Sequence, residues 1–524
     1  MPTAAVPHPT IRDHCRKAPL VIITAVGYHQ RRRTHAGGKT MPARTGEQYI
    51  AGLRARAADV YISGEQVKDV TTHPAFRNGV RTLASLYDLQ HDPAWREEMT
   101  YVSPTSGDRV GLSFITPTTI EDLQRRRTMM THWARASCGM MGRTPDFMNV
   151  TMMAMAAAGD YFARNRPEFK TNIQRYYEYI REHDLVLTHT LVNLQRSRSP
   201  LATPLEDRTD VALAVVRETD AGIVVRGPRI LATLGPLADE IAVYPARNHQ
   251  LPLDAQAPYS FAFAIPCNTP GLKFLCRESF DLGRSHFDHP LGSRFEEMDA
   301  IVFFDDVLVP WERVFLLGDV ELCNQLPERT HRNAHSGHQV VTKQVVKSEF
   351  ILGLAQLMVD TLGSGELPQV QQMMAEIIEN LEVIKACLRA AEADAEVDEW
   401  GVMCPARLPL MAARNLFIRM YPRMAEILHL LGASSLMALP TEADFRGPLA
   451  PQLNRYLDTN TASAEERVRL FRLAWDTCCS AFASRQVLYE RYFGGNALQN
   501  AVILYQFYDK EPMAAWVRQF IEQD

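Results

Sequence analysis

The sequence predicts an α+β chain in three parts: a helical N-terminal stretch, a middle β-domain and a C-terminal helical bundle. Helical periodicity dominates from Met41 to about Pro204. Short apolar runs separated by turn residues replace it between about Leu205 and Leu317, and the helical period returns from about Gln339 onward. Domains over 41–204, 205–320 and 321–524 follow, with residues 1–40 expected to be a disordered extension. A chain of 524 residues is long enough for two or three cooperating domains with a sizeable core.

In the first part, Thr118-x-x-Glu121 offers a capping box before the stretch Leu123 to Ala136. Gly139 and Gly142 then interrupt the amphipathic pattern, and Thr144-Pro145-Asp146 reads as the start of the next helix, with Thr144 at the cap and Pro145 at its first position. Met152, Met153 and Met155 follow as core filler. In the middle part the strand candidates are Val211 to Val216, Ile223 to Val225, Ile241 to Tyr244, Tyr259 to Ile265, Leu272 to Cys276 and Ile301 to Phe304. Asp220-Ala221-Gly222 and Thr269-Pro270-Gly271 are the turns between them. In the last part Val370, Met373, Ile377, Leu381, Ile384 and Leu388 keep one helical face, and Ser463-x-x-Glu466 caps a later helix. Several long helices in succession imply a bundle.

Charge and cysteines narrow the class. Residues 1 to 40 hold seven Lys or Arg against Asp13 alone, so the remainder is more acidic than the formal net charge of −5, which argues against a nucleic-acid groove. The apolar run Pro19 to Val26 is too short to span a bilayer, and Arg31-Arg32-Arg33 follows it where a signal peptide would place small residues. The nine cysteines are scattered, with only Cys478 and Cys479 adjacent. The expectation is a reduced, cytoplasmic protein with no cysteine metal site.

Two segments stand out, Gly139 to Asn149 and Asp184 to Asn193, because each sets one strong hydrogen-bond donor, Arg143 or His189, among apolar neighbours. A buried guanidinium must pair with a carboxylate or face a ligand. Arg143, at a break between helices and beside a helix N-terminus, suits an anion. Taken alone, Arg143 reads as a structural ion pair and His189 as a satisfied core histidine. No strand followed by G-x-G-x-x-G, no H-E-x-x-H, no P-loop and no G-x-S-x-G occurs.

These segments, with Thr71-Thr72-His73-Pro74, Leu83 to Pro93, Phe304 to Glu312 and Leu488-Tyr489-Glu490-Arg491, closely resemble the 4-hydroxyphenylacetate 3-monooxygenase family, the oxygenase components of two-component flavin hydroxylases. The resemblance runs from about Met41 to the C-terminus. It implies an acyl-CoA dehydrogenase-like fold, with flavin between β-domain and bundle, and a homotetramer. It also implies ortho-hydroxylation of a phenolic substrate by reduced FAD and O2 through a C4a-hydroperoxyflavin, the reduced flavin coming from a separate NAD(P)H:flavin reductase. Arg143 and His189 are then the catalytic pair on the phenol oxygen, a permanent cation beside a group able to exchange a proton near neutrality. Flavin contacts carry over to Gln195, Arg196, Ser197, Arg198, Thr233 and Asn496-Ala497-Leu498-Gln499.

Two departures bear on the substrate. Phe147 stands where the family typically carries Tyr, so the ring is kept and a hydroxyl is lost. Ala246-Arg247 replaces small hydroxyl residues facing the substrate tail; Arg247 either binds a carboxylate bidentately or is a solvated loop residue. A flavin-dependent acyl-CoA dehydratase or isomerase of the same fold, and a non-catalytic flavin-binding protein, are the alternative functions.

Overall fold

The computed structural model describes residues 42–194, 212–245, 257–281 and 283–522; the expected extension over 1–40 lies outside them. Two sheets form the middle of the molecule. One has six strands, in the order Glu65–Val67, Asp59–Ile62, Leu272–Cys276, Asp299–Pro310, Gly222–Thr233 and Ala214–Thr219. The other has four, Val314–Leu317, Phe261–Pro266, Glu240–Val243 and Leu187–Thr190.

The expected strands form and Leu272–Cys276 matches its prediction to the residue, but Ile223–Val225 and Ile301–Phe304 are the inner parts of the much longer strands Gly222–Thr233 and Asp299–Pro310. Five strands arise from the stretch read as helical, among them the antiparallel pair Thr100–Val102 and Arg109–Gly111. Asp59–Ile62 and Glu65–Val67 join through a Ser63-Gly64 turn with both residues at positive φ, and Leu187–Thr190 runs parallel to Glu240–Val243. Each is too short to display a period of two, and tertiary pairing decides it.

Helices pack on both sides of this β layer. Ile120–Ala136 is capped by Thr119, which accepts from the Asp122 amide, so the cap sits one residue after the expected Thr118. Pro145–Ala157 begins at Pro145 as expected, although the Thr144 side chain does not cap it. Met152, Met153 and Met155 are buried in the main core, and the Ser463–Glu466 capping box is present. A second core lies among the C-terminal helices Arg332–Leu362, Pro368–Ala393, Arg407–Gly432 and Ala464–Cys478, where Ile377, Ile384, Phe417 and Tyr421 are fully buried. Among the described residues no helix is long and apolar enough to cross a membrane.

Sheet and bundle are joined by charge. Arg485, on helix Ala481–Tyr492, donates Nε and Nη2 to the two carboxylate oxygens of Asp299, both at 2.9 Å, and Nη1 to Glu297 at 2.9 Å. Arg277 Nε adds a bond to Asp299 at 2.9 Å. Burial alone would raise the Asp299 pKa; the two guanidiniums outweigh it and hold the carboxyl far below the usual range.

Replacing Asp299 with Ala leaves Arg485 partly uncompensated in a buried site and is expected to cost about 3 kcal/mol of stability. Urea denaturation of Asp299→Ala beside the parent chain reads this directly, and an unchanged midpoint would show that the network contributes nothing net.

Candidate active site

Arg143 sits in the short connection between helices Ile120–Ala136 and Pro145–Ala157, and only 8% of it is exposed. Its backbone amide donates to Glu297 Oε1 at 2.7 Å. Nη1 donates to the Gly142 carbonyl at 3.1 Å and to the Tyr489 hydroxyl at 2.6 Å. The guanidinium lies over the Phe147 ring, 4.1 Å from its centre, with Tyr489 and Phe493 at 5.4 and 5.7 Å. Among the described residues no carboxylate pairs with it, so aromatic faces and a hydroxyl offset its desolvation without cancelling its charge.

Both glycines of this segment are required by close approach. A Cβ on Gly142 would fall 2.0 Å from the Tyr489 hydroxyl, and one on Gly139, at φ +67°, would meet Lys347 at 2.6 Å. The chain around Arg143 is therefore clamped between helices Ala481–Tyr492 and Arg332–Leu362.

His189 comes from the strand Leu187–Thr190. Its ring lies 5.5 Å from that of Phe147 and 6.0 Å from that of Tyr244, centre to centre. Its Nδ1 is 3.0 Å from Met148 Sδ. A thioether only accepts, so Nδ1 carries the proton and Nε2 is left with a lone pair. Burial first, then the charges of Arg143 and Arg332, hold the His189 pKa well below 6.5. In the free protein it is a neutral acceptor at physiological pH, which narrows the expected role of a residue exchanging its proton near neutrality.

Arg332, the first residue of helix Arg332–Leu362, is a second buried cation, with its guanidinium 4.6 Å from the Tyr244 ring centre and its Nε without a partner among the described residues. Sequence reasoning missed Arg332, Met148, Tyr244 and Tyr489. Tyr489 belongs to a motif that carried the resemblance, and Met148 adjoins Phe147; neither residue type signalled a polar role.

Thr233 is buried, and its hydroxyl donates to Asp299 Oδ1 at 2.7 Å, while the Thr188 hydroxyl donates to the Thr233 carbonyl at 2.6 Å. The structure thus ties Thr233 to the strand that holds His189; its hydroxyl proton is committed and its lone pairs remain. Asn496 caps helix Ala497–Phe507, accepting from the Gln499 amide at 2.8 Å, and Asn496, Ala497, Leu498 and Gln499 are all exposed. Among the described residues no hydrogen bond or ring contact joins them to Arg143 or His189. Gln195, Arg196, Ser197, Arg198, Ala246 and Arg247 lie outside the described residues.

Two buried polar atoms close to this region, Thr190 Oγ1 and Asn193 Oδ1, have no partner among the described residues, and both lie on the segment leading to Gln195. Unmet polar atoms at an apolar site suit a planar heterocycle whose rim carries carbonyl and N–H groups. The residues present therefore fit a flavin ring.

Residues 45–316 match the family described as 4-hydroxyphenylacetate 3-hydroxylase N terminal, and residues 323–522 match its C-terminal counterpart. The chain belongs to the 4-hydroxyphenylacetate 3-hydroxylase family. The 4-hydroxyphenylacetate 3-monooxygenase oxygenase component of Geobacillus sp. (strain PA-9) is 49% identical over 482 residues, 92% of this chain and 97% of its own. A crystal structure of the oxygenase component of 4-hydroxyphenylacetate 3-monooxygenase complexed with FAD and 4-hydroxyphenylacetate superposes with a TM-score of 0.87 at 48% identity, covering 92% of this chain and 98% of the other. A 4-hydroxybutyryl-CoA dehydratase from N. maritimus superposes at 0.81 with 19% identity, over 91% of this chain and 95% of the other, and shows the fold alone. The fold is acyl-CoA dehydrogenase-like, as expected.

The lowered His189 pKa fixes a sign. Below pH 6.5 the unfolded histidine takes up a proton that the folded one refuses, so its contribution to stability falls with falling pH and is level above that value. His189→Gln is expected to flatten part of the acid limb of a urea-midpoint-against-pH curve. The remainder belongs to other buried histidines such as His338, held down to about 4 mainly by burial.

Proposed function

We propose that this member of the family is the oxygenase component of a two-component monooxygenase, which uses reduced FAD and O2 to hydroxylate a para-substituted phenol next to its hydroxyl. The observation that carries the reading is the buried guanidinium of Arg143, unpaired with any described carboxylate and holding a phenol oxygen, that of Tyr489, at 2.6 Å. A substrate phenolate supplies the negative charge that the site lacks.

Arg143 binds the phenol oxygen and favours its anion, which raises electron density at the ortho carbon. His189 Nε2 accepts the phenol proton, with Met148 holding the tautomer that leaves this nitrogen free. The resulting imidazolium, disfavoured beside Arg143 and Arg332 in the free protein, is offset by the new phenolate. Phe147 and Tyr244 wall the site and exclude water. FAD, when bound, supplies oxygen activation and transfer to the ring. Thr233, Thr190 and Asn193 would hold its polar rim, with Gln195, Arg196, Ser197 and Arg198 beyond them and Arg198 offsetting the pyrophosphate. The Asn496 to Gln499 turn belongs to the same proposed cofactor set. At the substrate tail the proposal places Ala246 and Arg247, and Arg247 favours an aryl acid such as 4-hydroxyphenylacetate.

The reduced flavin comes from a separate NAD(P)H:flavin reductase. A homotetramer is part of the proposal, because no residue of helices Ala497–Phe507 and Glu511–Ile521 is buried, and Leu498, Tyr505, Trp516 and Phe520 are each at least 67% exposed. An apolar face of that kind calls for a partner, and a second copy of the chain provides one. A cytoplasmic location is supported by the eight described cysteines, all free thiols. The division into 41–204, 205–320 and 321–524 is kept, with strands Asp59–Ile62 and Leu187–Thr190 crossing its first boundary.

In an aerobic assay with FAD, NADH and a generic flavin reductase, 4-hydroxyphenylacetate is expected to gain one oxygen by mass spectrometry. Release of peroxide alone with 4-hydroxyphenylacetate, 4-coumarate and tyrosine would sink the reading. Arg143→Ala and His189→Ala are expected to lower the catechol yield by about a hundredfold and divert O2 to peroxide, with the circular dichroism spectrum unchanged. Unchanged yield in both removes them from the mechanism. Trp516→Glu is expected to lower the sedimentation coefficient from that of a tetramer.

A further inference from the structure

Outside the active site, a hairpin between helices Pro368–Ala393 and Arg407–Gly432 faces the start of helix Arg332–Leu362. Its short strands pair Glu396 with Cys404 and Val397 with Met403. His331, Asp398 and Cys404 each bring one ligand atom within 4.8 Å of the other two. They line a cavity of about 590 Å³ that also holds Glu396, Glu399 and Arg407.

Two of the three groups are held in place, and the Cys404 thiol has only a long contact, 3.7 Å, to the Pro405 carbonyl. Asp398 Oδ1 accepts from the Trp400 and Val402 amides at 2.9 and 3.0 Å, which fixes the carboxylate in the hairpin turn. His331 Nε2 lies 2.7 Å from Glu399 Oε2, the carboxylate contact that orients a metal-bound imidazole through its remaining nitrogen. His331 also holds a left-handed backbone, φ 50°, at the cap of its helix, a strained conformation for a residue with a side chain.

We propose that His331, Asp398 and Cys404 form a structural site for a divalent transition-metal ion of the zinc type. A nitrogen, an oxygen and a sulfur ligand suit such an ion and not calcium or magnesium, which take oxygen alone. On binding, the Cys404 thiol loses its proton to solvent, and one thiolate with one carboxylate neutralises the dication. Water fills the fourth position. Bonds of about 2.0 to 2.3 Å put tetrahedral ligand atoms about 3.5 Å apart, so a closure of little more than about 1 Å suffices. The ion would pin the hairpin to the residue before Arg332. No regular cysteine spacing announces the site, because its ligands lie on separate elements. The alternative cluster, His429 with Cys478 and Cys479, is weaker: it brings no carboxylate, and the Cys478 thiol already donates to the Ala474 carbonyl at 3.0 Å.

The test is a Co²⁺ titration of the full chain after dialysis against a chelator. Saturation at one equivalent per chain is expected, with a thiolate-to-cobalt charge-transfer band that Zn²⁺ displaces and that Cys404→Ser abolishes. Asp398→Asn and His331→Gln are expected to weaken binding about tenfold or more, and Zn²⁺ to raise the Tm of the parent chain. Absence of a saturable band, or a band that survives Cys404→Ser and vanishes in Cys478→Ser, overturns the assignment. Should Cys404→Ser not fold, an Asp398→Asn chain that binds Co²⁺ as tightly as the parent overturns it equally.

Discussion

The Asp299 carboxylate and its neighbour Glu297 are the point on which the candidate site depends. Asp299 receives Arg485 from the bundle, Arg277 from its own sheet and the hydroxyl of Thr233. Glu297 divides its two oxygens between Arg485 and the backbone amide of Arg143. Arg485 and Tyr489 are four residues apart on one helix and share a face. Once Arg485 is fixed to the sheet, Tyr489 is held over the Arg143 segment, and Gly142 is the residue that leaves room for it. Three chain segments distant in sequence are thus set against each other by charge-assisted bonds that are directional where apolar packing is not.

The same burial that strengthens these bonds governs the proposed chemistry. Arg143 and Arg332 are both desolvated; no described carboxylate forms an ion pair with Arg143, while Glu328 and the Tyr244 hydroxyl offset part of the Arg332 charge. Buried cations of this kind are a standing cost of folding, offset by aromatic faces and lowered when an anion arrives. Burial first, and these two charges after it, depress the basicity of His189, so that in the proposed reaction the imidazole is a weak base until the phenolate forms beside it. Proton acceptance and anion binding are in this way coupled in one site.

Much of this was legible in the sequence. Periodicity located the helices and the strands of the middle region, and Arg143 and His189 were visible as lone donors in apolar segments. Strands Asp59–Ile62, Glu65–Val67 and Leu187–Thr190 were not, because runs of three or four residues carry no measurable period and acquire their state from partners far along the chain. Tyr489 was visible as part of a motif and opaque as a contact. Its meaning depends on Arg485 one turn earlier and on a glycine far upstream, a relation that exists only in three dimensions. Arg332 was hidden for a similar reason: a basic residue at a helix start reads as solvated until the packing buries it.

Phe147 takes on a definite part in this arrangement. Without a hydroxyl it offers Arg143 a ring face at 4.1 Å, and the guanidinium donates its side-chain hydrogen bond to the Tyr489 hydroxyl instead. A guanidinium has five N–H donors, and the described contacts engage only one nitrogen, Nη1. In the proposed function, Nε and Nη2 donate to a substrate oxygen while Tyr489 stays in place. A lysine would offer a compact point charge without the planar fork of fixed donors. In the proposed function, the planar, multi-donor group therefore lets the site keep the Tyr489 phenol and bind a second phenol as substrate.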